Sequence, residues 1–224
     1  FFFILQTSYS IIIPIYNEVE QIPSLLLHLK QYYELGHEII IIDDGSNDGS
    51  SSLLSEAKFI KLFKFDDNRG KGEALKKGLL NAYNEYIIIF DGDLELHPDN
   101  IKKLMVLDHE EKIFCAFANR TNIHKINSIW SLGNLMISFL FNLINKSNVK
   151  DALCCAKSFL KSDLNINNLK AKKFDIDVEI TTSLVKRYSI IKNINIEYKR
   201  RSINQGKKLR IVDAFYIIKR ILYN

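Results

Sequence analysis

Three carboxylates, Asp91, Asp93 and Glu95, follow directly on the apolar run Ile87-Ile-Ile-Phe90. A run of that composition reads as a buried strand. Like charges packed at the end of such a strand repel one another by several kcal/mol where the dielectric is low, so a positive partner is expected among them. Two carboxylates at i and i+2 can clamp a hard divalent cation whose other ligands come from a diphosphate. Asp91, Asp93 and Glu95 are therefore candidate ligands for Mg2+ or Mn2+. Gly92 is expected to let the backbone turn tightly and approach a ligand. An isolated D-x-D is more often a solvated turn, but here three further polar motifs are expected along the same rim.

Periodicity places those motifs. Strands are predicted over "YSIIIPIY" (from Tyr9), "EIIIID" (from Glu38), "FIKLFKF" (from Phe59) and "EYIIIF" (from Glu85). Helices are predicted between them: Val19 to Leu35, a short one to about Lys58, and one entered through "NRGKGEALKKG". Alternating strands and helices describe a parallel sheet with right-handed crossovers. Continuous Ile runs fit strands covered on both faces. Ligands of such sheets bind beyond the carboxyl ends of the strands, where Pro14-Ile-Tyr16-Asn-Glu18, Asp43-Asp44, the Lys71 loop and Asp91-Gly92-Asp93 all fall. Asp43 and Asp44 can hydrogen-bond a base or ribose, or cap the next helix. Lys71 is within reach of a phosphate, although neither a P-loop nor a G-x-G-x-x-G is present.

After Pro98 the pattern loosens. A helix to about Leu107, a strand "KIFCAFA", a helix near Asp177 to Lys186, a strand "SIIKNINIEYK", a loop and a last helix from Ile211 are expected. The 224 residues suit a single domain, with a donor-binding half at about 9–107 and an acceptor-side half at about 108–224. An apolar fraction of 47% supports a sizeable core. Cys115, Cys154 and Cys155 lack zinc-ligand spacing and read as buried thiols in a reducing compartment. The net charge of +5 is uneven: Lys199 to Asn224 holds eight basic residues and one acid, which leaves the rest at −2. Such a segment fits a phosphate-rich ligand or an anionic membrane, or simply a solvated helix face. Ile126 to Asn145 is uncharged. Ser131, Asn134, Ser138, Asn142 and Asn145 form one stripe along it, with Trp130, Leu132, Leu135, Met136, Phe139, Leu140 and Leu143 around the rest. That pattern is built to lie against something, the protein's own core or an external apolar surface, rather than to cross lipid.

"IIIPIYNE", "IIDDGSNDGS", "NRGKGEALKKG" and "FDGDLELHPDNI", in this order, resemble the inverting family-2 glycosyltransferases of GT-A fold. "DALCCAKSFL", "FDIDVEI" and "INIEYKRRSINQGKKL" resemble segments of the dolichyl- and polyprenyl-phosphate mannose or glucose synthases among them. The resemblance covers about Tyr9 to Leu222. It implies that Pro14, Tyr16, Glu18, Asp43, Asp44, Lys71, Asp91, Gly92 and Asp93 bind a UDP- or GDP-hexose. Asp151 is the implied base, with Arg120 and Arg201 beside it. Arg120, Lys125, Arg201, Lys207 and Lys208 would hold an acceptor phosphate. The implied reaction is metal-dependent hexose transfer to a polyprenyl phosphate, at the cytoplasmic face of an anionic membrane and without nucleic acid. A glycan acceptor, or an inactive nucleotide-sugar scaffold, is the alternative. Here Ser131 stands where relatives often carry Arg, and Cys154, Ala156 and Asn195 replace their Thr, aromatic residue and Pro.

Overall fold

The computed structural model describes residues 7–121, 129–188, 190–201 and 211–223. Seven strands form one sheet: β1 (Tyr9–Ile15), β2 (Glu38–Asp43), β3 (Lys61–Lys64), β4 (Tyr86–Ile89), β5 (Cys115–Arg120), β6 (Lys157–Leu160) and β7 (Lys192–Ile196). Their order is β3-β2-β1-β4-β6-β5-β7. The helices are α1 (Ile22–Glu34), α2 (Ser50–Glu56), α3 (Lys71–Asn81), α4 (Ile101–Leu104), α5 (Ile129–Asn145), α6 (Ile176–Arg187) and α7 (Ile211–Tyr223).

The Ile runs are continuous because both sheet faces are covered. Along a strand, successive side chains point to opposite faces. Ile12, Ile40, Ile42, Ile87 and Ile89 pack with Leu75 and Leu79 of α3 and Ile180 and Leu184 of α6. Ile11, Ile13, Ile39, Ile41 and Ile88 pack on the other face with Leu25 and Leu29 of α1 and Ile101 and Leu104 of α4. Each fully buried Ile contributes roughly 1.5–3 kcal/mol. The parallel register aligns Ile12 with Ile40 on one side and with Ile89 on the other. This brings the carboxyl ends of β1, β2 and β4 to one rim, and the strand order reverses at β1.

β6 departs from the expected pattern. It runs antiparallel between β4 and β5, and all four of its residues are buried. Nothing in "KSFL" announces a central strand, because Lys157 is a buried charge. The ammonium is accommodated by bonds to the Asp177 carbonyl (3.0 Å) and Thr181 Oγ1 (3.0 Å) on α6. The helix expected to reach Leu107 stops as α4 at Leu104.

α5 sits with its polar stripe inward. Asn134 and Ser138 are buried, whereas Phe139 is 71% and Leu143 66% exposed. Ser138 Oγ accepts from Ala152 N–H (3.2 Å), and Asn142 Oδ1 accepts from Val149 N–H (2.9 Å). The helix is docked by these hydrogen bonds to the segment leading into β6 and by Phe141, Ile137 and Leu140 against the core, and Leu132, Leu135 and Met136 face outward with Phe139. α7 buries Ile217 and Ile221 but exposes Phe215, Leu222 and Tyr223. Among the described residues no helix is long and apolar enough to cross a membrane.

α3 lies unusually close to the sheet. A Cβ on Gly78 would stand 2.4 Å from Ile12 Cγ2 and 2.7 Å from Ile42 Cδ1. Ala in place of Gly gains about 1 kcal/mol of helix propensity, while overpacking costs about 1–3 kcal/mol. Ile12 is a β-branched residue in a central strand and has no room to move. Gly78→Ala is expected to destabilise by about 1 kcal/mol net in denaturant unfolding; a stabilised variant would contradict this close packing.

Candidate active site

The rim after β1 and β2 is closed by side chains that accept from backbone. Asp43 Oδ1 accepts from Ser46 N–H (2.9 Å). Asp44 accepts through its two oxygens from Arg69 N–H (2.8 Å) and Gly70 N–H (2.9 Å). Asp44 thus holds the loop that delivers Lys71 to the start of α3. Burial pushes its carboxyl up, partly offset by those N–H groups. Asn17 and Ser46 lock the two loops together, with Asn17 N–H donating to Ser46 Oγ (2.9 Å) and Asn17 Oδ1 accepting from Asn47 N–H (2.9 Å). Asn17 has φ of 49°, which an Asn tolerates. Pro14 and Tyr16 are half-buried at the end of β1, and Glu18 is buried beside them.

The positive partners expected near Asp91 and Asp93 come from far along the chain. Lys71 Nζ lies 2.8 Å from Asp91 Oδ1 and 2.8 Å from Asp177 Oδ2 of α6. Burial pushes the Asp91 carboxyl up, but Lys71 outweighs it and holds the group below the usual carboxylate range. Lys71 is therefore engaged by carboxylates, where phosphate contact was expected. Arg201 Nη1 and Nη2 donate to Glu18 at 2.8 and 3.0 Å, and Nη2 lies 3.3 Å from Asp93. Glu95 turns away to accept from Arg201 N–H (3.0 Å). Asp93 is left short of positive charge: burial, then the charges of Asp91 and Glu95, push its carboxyl up to about 7 despite Arg201. That deficit fits a divalent cation held by Asp91 and Asp93.

Gly92 is needed for a different reason from the one its sequence context implies. Its φ is not positive; the turn is made at Leu94, φ 58°. A Cβ on Gly92 would instead stand 2.1 Å from Ile15 Cδ1. The glycine lets β4 and β1 deliver their ends side by side.

Arg120 and Asp151 form a second buried pair. Arg120 donates from Nε (2.6 Å) and Nη2 (2.9 Å) to the two oxygens of Asp151, and Asn134 of α5 contacts each of them at 3.3 Å. Burial raises the Asp151 carboxyl, but Arg120 outweighs it and holds the group low. A carboxylate gripped in this way is a poor proton acceptor. Asp151 is therefore corrected from base to anchor: it fixes the guanidinium, whose face lies over the Tyr198 ring.

Arg120, Asp91, Asp93 and Glu95 line one pocket with Cys154, Cys155 and Tyr198; its volume is ≈ 40 Å³. A larger recess of ≈ 270 Å³ lies elsewhere, between α6 and the Asp163–Leu169 segment, and holds none of these groups. All three cysteines are free and buried. Lys125, Lys207 and Lys208 lie outside the described residues. Asp177 and Asn17 are site residues that sequence reasoning misses; "FDIDVEI" and "YNE" are the available signals.

Two outcomes are expected. A carboxylate whose folded pKa lies above its unfolded value binds more protons when folded. Stability therefore falls as pH rises from about 4 to about 7 and then levels off. Asp93→Asn removes that loss, so thermal unfolding of the metal-free variant at pH 8 should exceed wild type by at least about 1.4 kcal/mol, the equivalent of one pKa unit, with the gain vanishing near pH 4. Asp151→Asn leaves a buried guanidinium without its counter-charge and should cost about 3 kcal/mol in urea unfolding. Wild-type stability would remove Asp151's anchoring role.

Comparison with known proteins accords with this geometry. Residues 10–165 match the model of glycosyl transferase family 2. The undecaprenyl-phosphate 4-deoxy-4-formamido-L-arabinose transferase of Pectobacterium atrosepticum is 29% identical over 231 residues, covering 91% of this chain and 69% of that protein. The UDP-N-acetylglucosamine–dolichyl-phosphate N-acetylglucosaminyltransferase of Methanococcus voltae is 25% identical over 238 residues, covering 95% and 94%. Among solved structures, the glucosyl-3-phosphoglycerate synthase of Mycobacterium tuberculosis superimposes with TM-score 0.74 at 17% identity, covering 96% of this chain and 80% of its own. A further structure of that enzyme, with Mn2+, UDP-glucose and glycerol 3-phosphate, gives TM-score 0.71 at 16% identity, covering 96% and 79%. At these identities the structures establish the GT-A fold.

Proposed function

The chain belongs to glycosyltransferase family 2, and from that premise we propose that it transfers a hexose from a UDP- or GDP-sugar to a polyprenyl phosphate, with inversion. The observation that carries this reading is the placement of α5. Its buried side touches Arg120 and Asp151 through Asn134, while its other side exposes Leu132, Leu135, Met136, Phe139 and Leu143. An anion-binding guanidinium and an apolar surface thus meet at one helix, as an acceptor with a phosphate head and a lipid tail requires. The basic segment after Lys199 adds attraction to an anionic surface, about 1 kcal/mol per residue near it. These features support peripheral binding at the cytoplasmic face. The names of the undecaprenyl- and dolichyl-phosphate relatives support the acceptor class.

Residues after β1 and β2, from Pro14 to Glu18 with Asp43 and Asp44, would flank the nucleotide. Asp91 and Asp93 would hold Mg2+ or Mn2+, which supplies positive charge to the departing diphosphate. Arg201 now lies across the rim, bonded to Glu18 and beside Asp93. The ≈ 40 Å³ left beneath is far below the roughly 300 Å³ or more of a typical ligand pocket, so the arm swings aside to admit the donor. A lipid phosphate is largely ionised near neutral pH, its second pKa being about 6. It needs alignment by Arg120 more than it needs a base, which is consistent with Asp151 serving as an anchor. Lys125, Lys207 and Lys208 remain proposed contributors to the same phosphate.

Incubation with polyprenyl phosphate, Mn2+ and a panel of UDP- and GDP-sugars should yield a glycosyl phospholipid. Asp93→Asn should abolish turnover. Phe139→Glu, at an exposed position, should keep the fold and lower flotation with anionic vesicles several-fold. Transfer to a soluble glycan with none to the lipid would overturn the acceptor assignment.

A further inference from the structure

On the flank of the molecule, α1 and the turn after Glu95 bring together two imidazoles and a carboxylate. His28 lies on α1, and His97 and Asp99 flank the buried Pro98. One ligand atom from each of the three lies within 4.8 Å of the others, and no other three-ligand group of His, Cys, Asp or Glu meets that distance among the described residues. The two rings stand edge to face, with centroids 4.7 Å apart.

The hydrogen-bond partners fix where the lone pairs are. His28 Nδ1 lies 2.8 Å from the Ser24 carbonyl, which can only accept. Nδ1 therefore carries the proton and Nε2 keeps its lone pair. Metal-ligating histidines are commonly oriented this way, with the second ring nitrogen donating to a carbonyl. His97 Nδ1 accepts from Asp99 N–H at 3.3 Å, so its lone pair is on Nδ1. That same nitrogen lies 3.5 Å from Asp99 Oδ2. A lone pair facing a carboxylate oxygen is repulsive, and a cation between them reverses the sign. Two ligands about 2.1 Å from a tetrahedral zinc ion stand about 3.4 Å apart, close to the spacing found here.

We propose that His28, His97 and Asp99 form a site for a borderline divalent transition ion, Zn2+ foremost, with water completing the tetrahedron. Two imidazoles and one carboxylate suit Zn2+, whereas Mg2+ prefers oxygen ligands and Mn2+ stands lowest in the affinity order. The site is thus chemically distinct from the Asp91/Asp93 pair. The ion takes over the lone pair that now makes the long bond to Asp99 N–H. His28 closes the remaining gap by rotating its ring, which an imidazole that is not buried does readily. The result is a clip between α1 and the segment that carries Asp93 and Glu95. It would reinforce two existing links, Gln31 Nε2 to Asp99 Oδ1 (3.3 Å) and the Tyr32 hydroxyl to the Pro98 carbonyl (3.0 Å).

The test is titration of the full chain with Zn2+ alone, followed by calorimetry and thermal unfolding, with Co2+ as an absorbing substitute. One equivalent of Zn2+ should bind and raise the unfolding temperature, and Co2+ should give visible d–d bands. His28→Ala and His97→Ala should each remove that equivalent, the thermal shift and the bands. His109→Ala, an exposed imidazole elsewhere, and Asp93→Asn should leave all three in place. Superimposable titrations of wild type and the His28→Ala/His97→Ala double variant would overturn the site. So would loss of the bound ion in Asp93→Asn alone.

Discussion

The structure is organised around an electrostatic constraint at the end of β4. Asp91, Asp93 and Glu95 fall within five positions at a mostly buried rim, and buried like charges are costly unless cations answer them. The chain answers each from a different distance. Lys71 comes from the start of α3 and is held in turn by Asp177 of α6. Arg201 comes from the segment after β7, and its backbone N–H meets Glu95. Helices and strands from both halves of the chain are pinned to one another by these contacts. The balance is incomplete at Asp93, a deficit that a divalent cation would answer.

The same logic governs the second buried pair. Arg120 on β5 is fully satisfied along one edge by Asp151, and Asn134 bridges the pair to α5. A helix with this much exposed apolar surface would bury that surface if packing alone decided its orientation. Instead its polar stripe is consumed by Arg120, Asp151, Ala152 and Val149; Phe141, Ile137 and Leu140 meet the core, and Leu132, Leu135, Met136, Phe139 and Leu143 are left outside. Exposed apolar side chains such as those on α5 and α7, where contiguous, are the kind that mark interaction surfaces. The setting of the Arg120 guanidinium and the placement of the exposed apolar face are thus linked by one set of hydrogen bonds.

Much of this is legible in the sequence. The Ile runs of β1, β2 and β4 carry their own evidence of burial on both faces, and the Asp, Asn, Gly and Ser clusters after them mark one rim. Those signals are local, so periodicity and turn chemistry suffice to group the donor-side motifs. The family resemblance adds Arg120, Asp151 and Arg201 as site residues. What the sequence conceals is non-local. β6 is invisible because its first residue is a lysine, tolerated only where the Asp177 carbonyl and Thr181 receive its ammonium. The orientation of α5 is open because an amphipathic pattern states that two faces differ and leaves undecided which one the protein needs. The role of Gly92 is hidden for the same reason: its constraint is the Ile15 side chain on a neighbouring strand.

By itself, then, the sequence determined an α/β sheet, its four-motif rim and the identity of the carboxylates, because periodicity and turn chemistry act over a few residues. The tertiary structure alone decided which cation meets which carboxylate. It made Asp151 an anchor, turned Lys71 toward Asp177 rather than outward, and left the apolar stripe of α5 exposed. Those outcomes depend on distances between residues up to 183 positions apart, as for Arg201 and Glu18. Coulombic and hydrogen-bond energies depend on distance in space, which spacing along the chain does not encode.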